Sequence, residues 1–202
     1  MAVDRYVSDI ESRGYHTETA ATLIQEMIQG EDGRRIALTD LSYTAGATAH
    51  SLLFRYPGSA AGCRTTASAA AAAAQKVLNV TDAPVDPAGN PVASGDDIAY
   101  QLPDGSWEFN TVASLSTKAI TLTNNIAVAV ASGARVVVFG VAADLRYQKF
   151  AAAASVTTEW SNGGDMVAIS PKINRGDPVI LESNNATNDG FLNRAVFKYL
   201  QV

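Results

Sequence analysis

The sequence predicts a mainly β protein, and two features of the 202-residue chain support that prediction. Between residues 95 and 140, apolar side chains alternate with small or polar ones in short runs, which is the two-residue period of a half-buried strand. Turn-forming residues interrupt these runs at intervals of about ten residues, as in small antiparallel barrels and sandwiches. We therefore expect a small antiparallel β-barrel in this part of the chain.

The stretch 95–140 divides into four predicted strands. Residues 98–102 form the first, and residues 107–111 return after a Pro-Asp-Gly turn. The proline of that turn presets φ, and its glycine accepts a positive φ. The third strand lies around residues 120–122 and the fourth over residues 136–139.

Further strands are expected outside this stretch. The segments concerned are residues 51–56, 76–81, 165–169, 178–182 and 191–200. The run of six alanines at residues 69–74 has a high helix propensity. Because threonine and serine precede this run and a β-branched segment follows it, we interpret it as a turn or a single helical turn.

Helix is predicted only near the N-terminus. Val3, Val7 and Ile10 recur at helical spacing, and a second apolar stripe holds Ala20, Leu23, Ile24, Met27 and Ile28 before Gly30. The polar side of that stripe is acidic, so core packing explains it better than a membrane face does.

The predicted organisation has three parts. Residues 1–35 form a helical N-terminal arm, residues 36–65 pair with residues 141–202 as an outer β-domain, and residues 66–140 form a small barrel inserted in it. An inserted domain needs its two ends to lie close together, which small barrels often provide.

Composition disfavours two classes of partner. The net charge is −5, and the 15 lysines and arginines are scattered, so no basic patch for nucleic acid is expected. The start of the chain lacks the apolar core of a signal peptide, and no apolar run is long enough for a transmembrane helix.

A single cysteine leaves no intrachain disulfide, which fits folding in a reducing cytoplasm. The charged fraction of 17% lies below the usual value of roughly 25%, and a surface short of charge is typical of an interface.

Few residues suggest chemistry. His16 and His50 are not spaced as ligands of one metal, and a structural role is expected for both. Asp96 and Asp97 point to opposite faces of a strand and make a poor acid–base pair. The polar stretch 183–190 lacks the bidentate glutamate of a calcium loop. We therefore expect no catalytic residues, no metal and no cofactor.

Three other features, the tripeptide of residues 175–177 and the two tryptophans, each allow a structural interpretation and a binding interpretation. The integrin-binding tripeptide of residues 175–177 is better explained as a β-turn before a strand. Trp107 and Trp160 could line a sugar site, but a lone tryptophan on a strand usually belongs to a core or an interface.

Several segments together form a recognisable pattern. They are the Leu-Ser-Tyr-Thr-Ala-Gly run that leads to His50, the Gly-Asp-Asp-Ile-Ala strand start at residues 95–99, and the hairpin pattern of residues 112–123. The Gly-Ala-Arg-Val-Val-Val-Phe-Gly strand of residues 133–140 and the segment 178–187 belong to it as well. This pattern resembles structural proteins of tailed bacteriophages, in particular capsid decoration, or cement, proteins. The resemblance spans roughly residues 36–190, and its motifs are turns and strands rather than catalytic signatures.

The resemblance implies a protein that binds the outside of an icosahedral head, often as a homotrimer over the junctions of major capsid protein subunits. The expected location is the capsid surface of the virion, after assembly in the cytoplasm of the host bacterium. The residues we predict for interactions are Tyr6, Ile10, Arg34, Arg35, Trp107 and Trp160. The alternatives are another virion component of the neck, tail or fibre, and a carbohydrate-binding adhesin that uses one of the tryptophans. An enzyme is the least favoured class.

Overall fold

The computed structural model describes residues 11–17, 23–45, 50–58, 60–139, 146–150, 156–161, 174–185 and 193–201. Within them the chain forms strands, turns and bridges, and no helix. The strands are β1 (Glu11–Thr17), β2 (Leu23–Ile28), β3 (Ile36–Ala45), β4 (His50–Arg55), β5 (Arg64–Thr66), β6 (Val77–Asn79), β7 (Asp97–Gln101), β8 (Trp107–Ser116), β9 (Ala119–Leu122), β10 (Arg135–Val138), β11 (Arg146–Phe150), β12 (Val156–Ser161), β13 (Val179–Asn185) and β14 (Asn193–Gln201). The prediction of a mainly β protein is confirmed for these residues.

Three antiparallel sheets contain these strands. One has the order β1-β14-β3-β12 and a second the order β11-β4-β13-β2. The third has six strands in the order β5-β10-β7-β8-β9-β6. All strands of the six-stranded sheet come from residues 64–138, whereas both four-stranded sheets combine residues 11–55 with residues 146–201. The three-part division predicted from the sequence, with its boundaries at 35, 65 and 140, stays a prediction.

The six-stranded sheet is curled, and its two edge strands approach each other at one point. A single bridge joins Ala67 to Val80, just beyond β5 and β6. Beside it, the Ser68 amide donates to the Asn79 carbonyl at 2.9 Å, and the Thr81 amide donates to the Thr66 carbonyl at 2.9 Å. One bridge is not a ladder, so the unit is a half-barrel rather than the closed, inserted barrel that the sequence led us to expect.

The four strands predicted between residues 95 and 140 are confirmed as β7 to β10. The Pro-Asp-Gly turn joins β7 to β8, and Gly105 has a φ of 87°, as the turn requires. The alanine run is also not a helix, as expected from its neighbours. Ala71 forms a bridge with Val130 instead. The predicted segment 165–169 lies outside the described residues.

A helix at the start of the chain is the main error of the sequence analysis. Residues 1–10 lie outside the described residues, but Glu11–Thr17 is a strand that pairs with β14. Leu23–Ile28 is also a strand, and it pairs with β13, so that Ile28 faces Val179. The spacing of the apolar stripe was compatible with either a helix or a strand. Pairing with a distant strand decided it, because a tertiary partner overrides a weak local preference.

The curled sheet encloses an apolar core. Its buried members come from five of the six strands and from the segments between them: Ala67, Ala71, Leu78, Val80, Val92, Ile98, Tyr100, Val112, Ile120, Leu122, Ile126, Val130, Val136 and Val138. The other face of the sheet is buried too, because Ala99, Trp107, Val137 and Phe139 pack against Ile180 of β13. The six-stranded sheet is therefore attached to a four-stranded sheet through its outer face.

Candidate interaction surface

Asp177 connects the six-stranded sheet to the outer strands through buried charges. The side chain is fully buried. Its Oδ2 accepts hydrogen bonds from Nε and Nη2 of Arg64, at 2.9 and 2.7 Å, and its Oδ1 accepts one from Nη2 of Arg135 at 2.6 Å. The carboxylate lies in the turn before β13, whereas the two arginines lie on β5 and β10. The turn is thus fixed to the half-barrel.

A second cluster spans the same junction. Arg55, at the end of β4, contacts Asp97 of β7 and Glu182 of β13 with its guanidinium group. The Arg55–Glu182 separation is 2.9 Å, and the Arg55 side chain is almost completely buried. A buried arginine of this kind is tolerated only when carboxylates compensate its charge. These ionic groups hold the two parts of the molecule together.

The tripeptide of residues 175–177 therefore has a structural role in this chain. The Asp177 amide donates to the Asn174 carbonyl at 3.2 Å, which closes the predicted β-turn before β13. Gly176 has a φ of 77° in that turn. Because the carboxylate of Asp177 is fully buried between two arginines, it is not presented to a receptor.

Trp107 also belongs to the interior. Its side chain is 3% exposed, and the guanidinium of Arg135 lies 5.1 Å from the ring centroid, within range of a cation–π interaction. The backbone of Trp107 exchanges two hydrogen bonds with the Gln29 side chain, at 2.7 and 3.3 Å. Burial removes the ring from direct contact with a sugar or a protein partner in the described structure, and the interaction role of Trp107 stays a prediction.

The remaining predicted interaction residues are distributed as follows. Tyr6 and Ile10 lie outside the described residues. Trp160 is on β12, at the edge of a four-stranded sheet, opposite Leu41 of β3.

The arginine pair is divided between the surface and a partly buried position. Arg34 is exposed and forms an ion pair with the exposed Glu31 at 3.2 Å. Arg35 is half-buried, and its Nε has no hydrogen-bond partner among the described residues. The structure does not bring these arginines together with Trp107 into one surface of the described chain, and their role in binding stays a prediction.

The half-barrel presents an uncharged surface, here called the neutral cap, which consists of the exposed side chains of residues 68–75, 77 and 127–132. Its two segments run side by side. The Ala71 and Val130 backbones exchange hydrogen bonds of 3.0 and 2.9 Å, and the Ala74 amide donates to the Ile126 carbonyl at 2.8 Å. Eight of the exposed residues in the cap are alanines, and Val77 and Val128 are exposed among them. Those two valines, 43% and 49% exposed, are the exposed large hydrophobic residues of the described chain.

A shallow open groove adjoins the neutral cap. Ser68, Ala69, Asn79, Val80, Thr81, Ser116, Lys118 and Ala119 line it. Lys118 is the charged member, and its ammonium group donates to the Thr81 carbonyl at 2.6 Å. Lys76 likewise donates to the Thr123 carbonyl at 2.8 Å. Neither ammonium group pairs with a carboxylate within the described residues, so the rim of the cap is positively charged in a protein whose net charge is negative.

Sequence reasoning missed these surface residues, although a clue to them was present. Residues 66–75 and 119–134 contain no charged side chain at all, whereas the composition showed only the low charged fraction of the chain as a whole. The second uncharged stretch looked like strand and turn material. Only the bridge between Ala71 and Val130 shows that the two stretches share one surface.

Two ionisable side chains of the half-barrel, Tyr100 and Cys63, are held in their protonated, neutral forms. Burial raises the pKa of Tyr100, and the hydrogen bond that its hydroxyl donates to Glu108, at 2.6 Å, raises that pKa further. Burial also raises the pKa of the Cys63 thiol, which keeps the thiol protonated and unreactive near neutral pH. These groups have structural environments.

No cluster of metal-ligating side chains occurs within the described part of the chain. His16 lies on β1 and His50 on β4, in different sheets, so the described backbone does not join them in one site. The polar stretch 183–190 begins at the end of β13, and its residues 186–190 lie outside the described residues. No helical segment in the ranges given above could span a bilayer.

Comparisons with known proteins return only distant structural likenesses. No family model matches the chain, and no curated protein matches its sequence. VP17, a capsid protein of bacteriophage P23-77, aligns at 12% identity over 97% of this chain and 99% of that chain, with a TM-score of 0.21.

Two further structures come from infectious bursal disease virus. The VP2 subviral particle aligns at 14% identity, covering 98% of this chain and 42% of that chain, with a TM-score of 0.13. The Gt strain structure aligns at 16% identity, covering 98% of this chain and 41% of that chain, with a TM-score of 0.13. TM-scores this low carry no argument about the fold or the function of the present chain.

Proposed function

We propose that this protein is a structural component of a tailed-bacteriophage virion, and specifically a decoration protein that binds the outside of the head. The sequence segments that resemble such proteins support the proposal. In the described structure those segments include β7, the β8–β9 hairpin, β10 and β13, which form much of the half-barrel and its attachment to the outer strands. The partner in this proposal is the major capsid protein.

The neutral cap is the observation that carries the proposal. Exposed apolar patches on soluble proteins mark sites where another molecule binds. Here the exposed Val77 and Val128 lie among alanines, without a charged side chain in the cap, although the whole molecule has a net charge of −5. A surface without charge carries no large desolvation penalty when it is buried against another protein.

The proposed mechanism is stabilisation by mass action. A protein that binds only the assembled, expanded shell adds its binding free energy to the stability of that shell, by about 2.7 kcal/mol at a free concentration a hundredfold above Kd. An oligomer attached at several points gains more, because each further contact forms at a high effective concentration. No bond is made or broken in this mechanism, so no catalytic residue or cofactor takes part.

The alternatives draw less support from the described residues. An adhesin that stacks a sugar on Trp107 would need to expose a ring that is 3% exposed and packed under Arg135. Trp160 keeps that alternative open. The architecture and the neutral cap would suit a neck, tail or fibre component equally well. The test must therefore measure binding to the head itself.

The test is the thermal melting of expanded heads that lack the protein, with and without saturating purified protein. We expect stoichiometric binding and a higher melting temperature. Val128→Asp, which places a charge in the neutral cap, should weaken binding, whereas Ser114→Asp adds the same charge at an exposed position of β8 outside the cap and should not. An unchanged melting profile at saturating wild-type protein would exclude the decoration role.

A further inference from the structure

We propose that copies of this chain associate head to tail, with the two lysines at the rim of the neutral cap on one copy bound to the loop of residues 82–96 on the next, while the uncharged face around Val128 is left for the head. That loop is here called the acidic loop. This inference deepens the oligomer in the proposed function and rests on it for its biological meaning. The contact itself is argued from charge and position.

The charges of the half-barrel are segregated. Lys76 and Lys118 border the neutral cap, and between these two lysines the sequence contains no cationic side chain. The same interval holds six carboxylates, and three of them, Asp82, Asp86 and Asp96, lie on the acidic loop. The four cations of residues 60–139 are these two lysines, Arg64 and Arg135, and both arginines are used by Asp177. The lysines are therefore the free cations of the half-barrel.

The acidic loop has the properties that complement the cap. Its exposed apolar positions are small: Ala83, Ala88, Pro91 and Ala93. The loop is also well ordered by its own bonds. The Asp86 carboxylate accepts from the Asn90 amide at 2.8 Å, and the Asp96 carboxylate accepts from the Ala93 amide at 2.7 Å. A preformed loop loses little conformational freedom on binding, which favours its use as one side of a contact.

The positions of the two surfaces favour a closed ring. Lys118 bonds to the Thr81 carbonyl, so the groove next to the cap ends where the acidic loop begins. Two complementary surfaces that share an edge set successive copies at an angle to each other. A head-to-tail contact with such an angle can close into a ring of few copies, whereas complementary surfaces on opposite sides would give a filament.

Unlike charges also explain why the second copy would use this orientation. Two acidic molecules repel over most of their surfaces, and like charges brought together at an interface oppose association. Within the half-barrel, the two lysines at the rim of the neutral cap are the cations that attract an acidic loop. A second copy supplies that loop without any other component.

The experiment measures the mass of the full chain by sedimentation equilibrium. The cap variant is Lys76→Glu with Lys118→Glu. The loop variant is Asp82→Lys with Ala88→Lys, which leaves the Asp86 and Asp96 bonds intact. The control is Glu31→Lys, a charge reversal at an exposed site on the loop after β2. Circular dichroism and urea unfolding check that each variant folds.

We expect the wild type and the control to form the same small oligomer, and each variant alone to sediment as a monomer. An equimolar mixture of the two variants should associate again. The unchanged acidic loop of the cap variant can bind the unchanged lysines of the loop variant, and the two reversed surfaces can bind each other. The wild-type mass should also fall as salt rises from about 0.05 to about 0.5 M, since salt screens such contacts. A monomeric wild type, associated single variants, a mixture that stays monomeric, or a mass that ignores salt would each overturn the inference.

These results are separable from the test on heads. A wild type that stabilises heads but stays monomeric in solution and on the head, as shown by cross-linking, would refute the ring and leave the decoration role. A wild type that forms the ring but does not change head melting would refute the decoration role and leave the ring.

Discussion

Replacing Asp177 by alanine should destabilise the protein more than any surface substitution, because it removes the carboxylate that two arginines share. The carboxylate is fully buried and accepts three charge-assisted hydrogen bonds between 2.6 and 2.9 Å from Arg64 and Arg135. Its loss leaves two guanidinium groups facing each other across a partly dehydrated space. Both effects act in the same direction.

The expected size follows from the burial of the partners. Breaking a fully buried ion pair by removing one partner costs about 3–5 kcal/mol. The Arg64 and Arg135 side chains are 25% and 31% exposed, so water can partly resolvate them. We therefore expect a loss at the lower end, about 3 kcal/mol, which is more than a hundredfold in the unfolding equilibrium constant.

The assay is equilibrium unfolding in urea, with Asp32→Ala as the matched control. Asp32 also pairs with Arg135, at 3.5 Å, but its side chain is 77% exposed. An exposed pair of this kind contributes at most about 1 kcal/mol. If Asp177→Ala lost no more than Asp32→Ala, the buried carboxylate would not be what fixes the turn to the half-barrel, and our account of the junction would be wrong.

Other predictions concern backbone space and buried acids. Gly30→Ala should lower the free energy of unfolding in urea by about 2 kcal/mol or more, since the added Cβ would lie 2.6 Å from backbone atoms of the neighbouring turn. The control Gly33→Ala places its Cβ in open space and should lose only the roughly 1 kcal/mol that a left-handed backbone costs an alanine. Thr117 has a φ of 54°, so Thr117→Gly should raise the free energy of unfolding by about 0.5–1 kcal/mol, and a loss would show that the threonine side chain outweighs its strain. Folding raises the pKa of the Cys63 thiol above 9.0 and that of Tyr100 above 10.0. The contribution of each group to the free energy of unfolding is therefore complete below these values and is lost as pH rises through its folded-state pKa. Urea unfolding between about pH 8 and pH 11 should therefore show falling stability, and Cys63→Ser with Tyr100→Phe should flatten that fall; an unchanged slope would contradict the assignment.

The structure also changes what truncation should do. If residues 1–35 were the helical arm that the sequence predicts, removing them would detach the arm and spare the fold. The described part of that region instead supplies β1 and β2 to two sheets, so the same truncation should expose the edges of β14 and β13 and destabilise the protein. Removing residues 1–10 alone is the cleaner test of Tyr6 and Ile10 as contacts to a partner, with head binding as the measurement.

The sequence by itself determined the four strands between residues 95 and 140. They form hairpins between strands that are close in the chain, such as β7 to β8 and β8 to β9, and the Pro-Asp-Gly turn suits its backbone. Period-two alternation identifies such strands because one face of each meets the shared core, as Ile98 and Tyr100 do. The lack of charge across residues 66–75 and 119–134 is also visible in the sequence, but the sequence does not show that the two stretches form one surface.

Only the tertiary structure decided the rest, since those features depend on partners far away in the chain. The stripe of Leu23 to Ile28 fits a helix until it is paired with β13, about 150 residues later. Trp107 looks like a surface residue of a two-faced strand until Ile180 covers that second face. Asp177 looks like an exposed turn residue until Arg64 and Arg135 enclose it. A local pattern records which residues prefer burial, but the partner that buries them is set by long-range packing, because its contacts outweigh the small free-energy differences between local conformations.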